Sequence, residues 1–347
     1  MAANSRIAIG AFLAALCLVG SWDRPAAAGP VYNGGPVISG TPDLYYIWYG
    51  NWANNTAKSI ITKFTGALNG TSYLNTDSGM SGNGHVALIK STSISLTAHR
   101  KLYLGTSLNG EDGTIQNIVT GTLGKGLLPH DASGIYFVLT APDIAVSGFN
   151  TTFCGWHDST NWGSANLGTQ FGFIGDPTAS ETGCYVQSTS PNKNFGADAM
   201  VSVIAHELIE ATTDPIGTAW WDSNPASNTY GYENADMCAW NFGTTYLTGN
   251  GASANIKLGT KNYLLQRQWV NTGAGAGGCA LSYSGPPITG TISNTLVVTN
   301  PSESVRHASV SGAKPNAVPE PASLVILGAG LAGIAGSRAR RSRTKTA

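Results

Sequence analysis

Residues 196–213 constrain the fold more than any other stretch, because they have the pattern of one long helix with two chemically different faces. Small and branched apolar residues recur at helical spacing on one face: Val201, Ile204, Ala205 and Leu208. His206 and Glu210 are four positions apart and therefore share another face. Asp214 precedes Pro215, and a residue before proline disfavours helical backbone, so we expect the helix to end there.

The order His206-Glu207-Leu208-Ile209-Glu210 resembles the H-E-x-x-H helix of metallohydrolases, with glutamate in place of the second histidine. In that pattern the first and fifth residues bind zinc and the glutamate acts as the general base. We therefore expect His206 and Glu210 to bind a divalent metal. Glu207 lies about 100° around the helix from His206, where it could activate a water molecule without being a ligand.

A catalytic zinc ion usually has three protein ligands, so one ligand must come from outside this pair. The candidates are His157, Asp214, Asp222 and Glu233. Zinc is the expected ion, although ligation rich in carboxylates also suits calcium, magnesium or manganese. Residues 230–240 carry Glu233 and Asp236 beside Cys238, and we expect them to form a second wall of the site.

The charge pattern around the helix also favours a cation. No Lys or Arg occurs in the 63 residues between Lys193 and Lys257. The same interval holds seven carboxylates: Asp198, Glu207, Glu210, Asp214, Asp222, Glu233 and Asp236. If they cluster, a bound cation would offset their mutual repulsion. The alternative is a set of solvated surface acids, which the apolar surroundings of Glu207 and Glu210 disfavour.

The first 28 residues have the composition of a cleaved signal peptide. Arg6 precedes an apolar core at residues 7–20, and Ala26-Ala27-Ala28 is a small-residue cleavage site for signal peptidase. The alternative is an uncleaved membrane anchor, for which the apolar core is short. The sequence therefore predicts export.

The C-terminal end carries a second signal. Residues 318–321 are Val-Pro-Glu-Pro, and an apolar stretch follows at residues 322–334. Five basic residues come next: Arg338, Arg340, Arg341, Arg343 and Lys345. They are expected to stay on the cytoplasmic side of a membrane.

Motif, apolar helix and basic cluster resemble, in order, the PEP-CTERM sorting signal of Gram-negative bacteria. The resemblance implies a transient transmembrane anchor in the inner membrane and cleavage by an exosortase. It also implies a final location at the cell surface or in an extracellular polymer matrix. The alternative is a plain C-terminal anchor.

Between the two signals we expect one exported domain at residues 29–283, followed by a flexible linker at residues 284–317. The linker is rich in Pro, Ser, Gly and Asn and has no aromatic residue. Without the two terminal signals the chain has twelve Lys or Arg against seventeen Asp or Glu, a net charge of about −5. Since no basic patch occurs, nucleic acid is not an expected partner.

Four cysteines remain in the exported domain: Cys154, Cys184, Cys238 and Cys279. An even number in an exported chain favours two disulfides. Of the three possible pairings, Cys154–Cys184 with Cys238–Cys279 is favoured because it closes the shorter, sequential loops. A cysteine-based metal site is the alternative, but no C-x-x-C spacing supports it.

Strand and helix patterns alternate in the first half of the exported domain. Aromatic and β-branched runs predict strands at residues 43–50, 86–96, 134–140 and 170–175. Apolar spacing predicts helices from a cap at residues 54–56 to Gly70 and at residues 112–123. We expect a layered α/β (α+β) domain with a mixed sheet, a zincin-like active-site helix and a loop-rich C-terminal half.

Five segments of the exported domain resemble the phosphate-induced protein family, also called EXORDIUM in plants. They lie in family order at residues 31–36, 47–50, 138–149, 153–157 and 261–265. The resemblance covers residues 31–283 and implies an extracellular protein, of a kind linked in plants to growth responses. Cys154 and His157 match the family's Cys-Gly-x-His segment, which makes His157 a stronger functional candidate than the other isolated histidines.

Two functions fit these observations. The first is a secreted zincin-like metallohydrolase, a peptidase, in which Glu207 activates water beside a metal bound by His206 and Glu210. The second is a non-catalytic extracellular matrix protein that binds a polysaccharide or cell-wall partner and holds a structural cation. An open coordination position would favour the enzyme, and a closed one would favour the matrix protein.

Overall fold

The computed structural model describes residues 29–38, 42–77, 80, 91–95, 107–108, 112–161, 163, 166–179, 183–273 and 276–284. The predicted signal peptide and sorting tail lie outside the described residues. So does the predicted linker, apart from its first residue, 284. Of the strand predicted at residues 86–96, only residues 91–95 are described, and they do form a strand.

Three α-helices are present in the described part of the chain. They are α1 at Ala57–Leu68, α2 at Asp112–Gly124 and α3 at Phe195–Thr213. Short 3₁₀ turns occur at Leu74–Asp77, Pro177–Ala179 and Asp236–Cys238. The three α-helices agree with the sequence prediction to within a few residues at each end.

The strands of the first half of the chain are β1 at Val31–Tyr32, β2 at Asp43–Tyr49, β3 at Ser91–Ser95, β4 at Ser107–Leu108, β5 at Gly134–Thr140, β6 at Ala145–Val146, β7 at Gly155–Ser159 and β8 at Gln170–Gly175. Those of the second half are β9 at Trp220–Trp221, β10 at Tyr246–Leu247, β11 at Ser253–Ala254, β12 at Ile256–Leu258, β13 at Lys261–Tyr263, β14 at Gln268–Gly273 and β15 at Ala276–Ala280.

One five-stranded sheet, in the order β3-β2-β5-β8-β7, organises the domain. Strands β3, β2, β5 and β8 run parallel, and β7 pairs antiparallel with β8 at one edge. The predicted mixed sheet is therefore confirmed. In the pairing of β7 with β8, His157 lies opposite Gly172.

Both faces of the sheet are buried, which explains why its central strands have nearly continuous apolar sequences. On β5, Phe137 and Leu139 belong to the core shared with α1 and α3, whereas Val138 belongs to the core shared with α2. The result is a three-layer α/β arrangement with α1 and α3 on one face and α2 on the other.

The second half of the chain is rich in loops and short hairpins, as the sequence predicted. It includes the antiparallel pairs β10–β11, β12–β13 and β14–β15. Two disulfides, Cys154–Cys184 and Cys238–Cys279, confirm the favoured pairing, and the second of them lies within this half. Among the described residues, no helix has both the length and the hydropathy that a membrane span requires.

Candidate metal centre

Helix α3 is buried on almost every side, so its ionisable stripe lies inside the protein. Asn194 caps its N-terminus by accepting a hydrogen bond from the Ala197 N–H at 3.0 Å. Ile204 and Leu208 face the core and are fully buried. His206 is 8% exposed, while Glu207 and Glu210 are each 4% exposed. Burial of two carboxylates in one helical turn requires compensating positive charge or protons.

The edge strand β7 brings His157 against this stripe. Gly155 makes the close approach possible, because a Cβ there would overlap the Val203 side chain and would lie 3.1 Å from Glu207 Oε1. With β7 packed on α3, His157 Nδ1 lies 3.3 Å from Glu207 Oε2 and 3.8 Å from Glu210 Oε2. One candidate ligand atom from each of His157, Glu207 and Glu210 lies within 4.8 Å of the other two. These three residues are called the second triad, and a first triad on the other side of Glu210 is described below.

The loop that follows α3 returns to cover the other side of Glu210. Glu210 Oε1 accepts hydrogen bonds from the backbone N–H groups of Ala235 and Asp236, at 2.9 and 3.0 Å. These bonds place Asp236 beside His206. Residues 233–236 therefore form the second wall that the sequence predicted.

His206, Glu210 and Asp236 form the first triad. His206 Nε2 lies 3.2 Å from Glu210 Oε2 and 3.4 Å from Asp236 Oδ1, and the three ligand atoms lie within 4.8 Å of one another. Glu210 belongs to both triads through the same oxygen, Oε2. The other oxygen, Oε1, is engaged by the loop backbone.

Gln266 fixes the far side of the His206 ring. Its Nε2 donates to the Ala235 carbonyl at 2.7 Å, while its Oε1 accepts from the Trp240 N–H at 3.3 Å. His206 Nδ1 lies 3.4 Å from Gln266 Oε1 and 3.1 Å from Gln266 Nε2, and a neutral ring with its proton on Nδ1 donates to Oε1. The Nε2 lone pair of His206 then faces Glu210 and Asp236, which is the usual arrangement of a metal-binding histidine.

His157 is oriented from its other ring nitrogen. Its Nε2 lies 3.4 Å from the backbone oxygen of Asp214 and 3.5 Å from Glu233 Oε2. With Nε2–H donating to the Asp214 carbonyl, the Nδ1 lone pair faces Glu207 and Glu210. In these neutral tautomers, both histidines direct the nitrogen without a proton toward Glu210 Oε2.

Burial and crowding move the pKa values of this cluster together. Burial lowers the pKa of His157, but the neighbouring Glu207 and Glu210 outweigh it and raise the pKa to about 9. Burial also lowers the pKa of His206, and Glu210 and Asp236 raise it well above its usual value.

The pKa values of the carboxyl groups also rise, but in their case burial contributes to the rise. Burial, followed by repulsion from Asp236, raises the pKa of Glu210 to about 7. Burial, followed by repulsion from Asp214, raises that of Glu233 well above its usual value. Without a metal, bound protons therefore offset the repulsion between these carboxylates, as a cation would.

Asp214 and Asp222, which the sequence also offered as possible metal ligands, lie in different places. Asp214 ends α3, where its Oδ1 accepts from the Ala219 N–H at 2.6 Å and its buried Oδ2 has no hydrogen-bond partner. Burial raises its pKa to about 6. Asp222 is not brought into either triad. It organises its own loop, accepting from the Asn224 N–H at 3.0 Å and the Thr229 hydroxyl at 2.6 Å.

Two residues of the site were not predicted from the sequence in these roles. They are Asp236 as a candidate ligand and Gln266 as the support of the His206 ring. Asp236 carried a usable signal, since it lies three residues from Glu233 and two from Cys238. Gln266 carried none, because its role depends on a contact across 60 residues of sequence.

Two of the three spacings in the first triad suit a zinc-class ion. Ligands about 2.0–2.1 Å from a tetrahedral ion are separated from one another by about 3.3 Å. The two distances from His206 Nε2, 3.2 and 3.4 Å, match that separation. An imidazole ligand also favours zinc over calcium, which takes oxygen ligands.

A mostly apolar cleft opens beside the centre. Its walls include Phe195, Trp240 and Phe242, and His206 and Glu207 lie at its lining. Several polar groups around it are already engaged within the protein. Gln187, for example, exchanges two hydrogen bonds with the backbone of Ser253.

Comparison with known proteins identifies the family. Residues 31–263 match the model of the phosphate-induced protein 1 conserved region. The chain is 28% identical over 276 residues to Protein EXORDIUM-like 3 of Arabidopsis thaliana, covering 69% of this chain and 79% of that protein. It is 28% identical over 245 residues to Protein EXORDIUM-like 5 of the same plant, covering 61% and 64% of the two chains.

A further relative is Protein PHOSPHATE-INDUCED 1 of Nicotiana tabacum, 27% identical over 217 residues, which are 55% of this chain and 66% of that protein. Residues 317–341 match the PEP-CTERM protein-sorting motif, which implies export in a Gram-negative bacterium, processing by an exosortase and a transient membrane anchor. Because the family match spans well over half of the chain and includes both triads, the chain belongs to the phosphate-induced protein 1 family.

Proposed function

We propose that the exported domain is a non-catalytic surface or matrix protein, which associates with an extracellular polymer and is braced by a buried divalent cation. The observation that carries the proposal is the first triad. Its ligands come from α3 and from the loop at residues 233–236, and Glu210 also binds the backbone of that loop. An ion there would fasten the loop-rich half of the domain to its α/β half.

The family and the sorting motif support an extracellular location for such a protein. A cation that binds only the folded state adds to the stability of such a protein. Zinc is the ion that the first triad fits best, and calcium is the alternative.

Metal removal tests this function. The exported protein is purified, its metal content is measured by mass spectrometry, and its thermal unfolding is followed before and after chelation. At a free zinc concentration about a thousandfold above Kd, the ion should raise Tm by on the order of 10 °C. A protein that binds no stoichiometric ion, or whose Tm is indifferent to chelation, would overturn the proposal.

The control is Asp222→Asn. This carboxylate lies in the same interval without Lys or Arg, but it belongs to neither triad. The variant should keep the metal content and the metal-dependent Tm shift of the wild type, even where its own loop is weakened.

A hydrolase remains the second candidate, because His206 and Glu207 line the cleft. A bound ion supplies Lewis acidity in such an enzyme. Glu207 would accept a proton from the attacking water, and the apolar walls would hold an apolar side chain of a peptide. Glu207→Gln with its metal retained should then abolish peptide cleavage. If the wild type cleaves no peptide in a mixed library, the structural proposal stands alone.

A further inference from the structure

The two triads share one oxygen, and this arrangement has a consequence for the number of ions. Glu210 Oε2 lies 3.2 Å from His206 Nε2 in the first triad and 3.8 Å from His157 Nδ1 in the second. Each triad has its own histidine nitrogen and its own second carboxylate. We propose that the centre holds two divalent cations, bridged by Glu210 Oε2. The second ion would be bound by His157 Nδ1 and Glu207 Oε2.

The orientation of the histidines supports two ions. The Nδ1 atom of His206 lies 3.4 Å from the amide oxygen and 3.1 Å from the amide nitrogen of Gln266, and the Nε2 atom of His157 contacts the backbone oxygen of Asp214. In the neutral tautomer that donates to these oxygens, each ring has its N–H outward and its lone pair inward. Each lone pair faces a different acid besides Glu210: Asp236 for His206 and Glu207 for His157.

Charge gives a second argument. Five carboxylates meet around the two rings: Glu207, Glu210, Asp214, Glu233 and Asp236. In the described part of the chain, the ion pairs recorded for them are all to His157 or His206. When all five are ionised, one divalent cation offsets two negative charges and a bridged pair offsets four.

An unsatisfied oxygen gives a third argument. Glu233 is 8% exposed, and its Oε2 has no hydrogen-bond partner although it lies against the His157 ring, 3.5 Å from Nε2. A buried carboxylate oxygen without a donor is costly unless positive charge lies nearby. A cation bound through Nδ1 would polarise the same ring and make its N–H a stronger partner for Glu233.

This inference rests on the proposed structural cation and sharpens it. An ion held by Glu207 occupies the carboxylate that a hydrolase would need as a free base. The bridged centre therefore belongs with the non-catalytic function.

Metal stoichiometry distinguishes the possibilities. The purified exported protein is loaded with zinc, desalted, and analysed for zinc per chain. Two equivalents support the bridged centre. One equivalent overturns the second ion and leaves the proposed function intact, whereas no bound zinc overturns both.

Variants assign the ions. His157→Gln and His206→Gln should each reduce the content from two equivalents to one, and Glu210→Gln should weaken both ions by at least tenfold. The control Asp222→Asn should retain two. If His157→Gln still binds two equivalents, the second triad is not a site.

Manganese loading of the wild type provides a measurement that does not depend on any variant folding. Two Mn²⁺ ions bridged by one oxygen give an exchange-coupled electron paramagnetic resonance spectrum. Isolated ions give the ordinary uncoupled spectrum, which would contradict the bridge.

Discussion

Glu210 performs two tasks with its two oxygens, and a histidine at this position could not perform both. Oε1 accepts two backbone N–H groups of the loop, while Oε2 faces both histidines. An imidazole has only one free lone pair in its neutral form. In the proposed centre, the departure from the H-E-x-x-H pattern would be a structural requirement, because the same side chain would hold both the loop and the cation.

Two substitutions separate these tasks. In Glu210→Gln the amide oxygen can still accept the N–H groups of Ala235 and Asp236, so we expect the metal-free variant to be at least as stable as the metal-free wild type. Glu210→Ala leaves both N–H groups buried without an acceptor and should cost about 2–4 kcal/mol. Both variants should lose zinc. Chemical denaturation of the chelated proteins measures the difference, and equal stability of the two variants would contradict the anchoring role.

The pKa shifts predict how stability depends on pH. In the metal-free fold, the pKa of Asp214 is raised to about 6, that of Glu210 to about 7 and that of His157 to about 9. Groups with raised folded-state pKa values stabilise the fold when protonated, and that contribution is lost as pH rises through those values. The chelated protein should therefore unfold at progressively lower temperature from about pH 4, near the ordinary pKa of Asp, to about pH 9.

Zinc should reverse this trend, because it replaces the protons. The Tm difference between zinc-loaded and chelated protein should widen over the same pH interval. Thermal unfolding at several pH values, with and without zinc, checks both slopes. A zinc-induced shift that shrinks as pH rises would argue against ligation by these groups.

At the scale of elements, the packing of β7 on α3 determines whether the second triad forms. Gly155 is the contact point, and any Cβ there meets the Val203 side chain and approaches Phe173 O to 2.9 Å. Gly155→Ala should push β7 away from α3 and carry His157 with it. We expect zinc affinity to fall by at least tenfold, on the scale of a misplaced ligand.

The matched control for that variant is Gly66→Ala in α1. Gly66 is exposed within a helix, and an added Cβ meets nothing within 4 Å. Alanine there should stabilise the fold by about 0.5–1 kcal/mol and leave zinc binding unchanged. Isothermal titration with zinc and denaturant unfolding together test the pair of variants. Unaltered zinc affinity in Gly155→Ala would show that β7 can shift without moving His157.

Helix α3 and strand β7 differ in how well the sequence predicts them, because α3 is formed by contacts between residues close in sequence and β7 is not. Helix α3 was predictable because its apolar face and its terminating proline are local. Strand β7 was not, because Gly-Trp-His-Asp-Ser has no clear alternation and the strand forms only through pairing with β8. The same reason explains why His157 was one ligand candidate among four, and why Gln266 gave no signal at all.

At the scale of the whole molecule, the two disulfides lie close in sequence to residues of the candidate centre. Cys154 precedes the β7 strand that carries His157, and Cys238 ends the 3₁₀ turn that Asp236 begins. Each triad is therefore close to one cross-link. Because these bonds form on export, the centre should reach its full affinity only outside the cytoplasm.

The double variant Cys238→Ser/Cys279→Ser tests this connection. The bond joins residues separated by 41 positions, so its loss should cost about 4 kcal/mol through the entropy of the unfolded chain. If it also positions Asp236, zinc should bind the first triad at least tenfold more weakly. His157→Gln in the same background isolates that triad, and calorimetric titration below the variant's Tm measures the affinity. A large loss of stability with unchanged zinc affinity would show that the disulfide stabilises the fold but does not position Asp236.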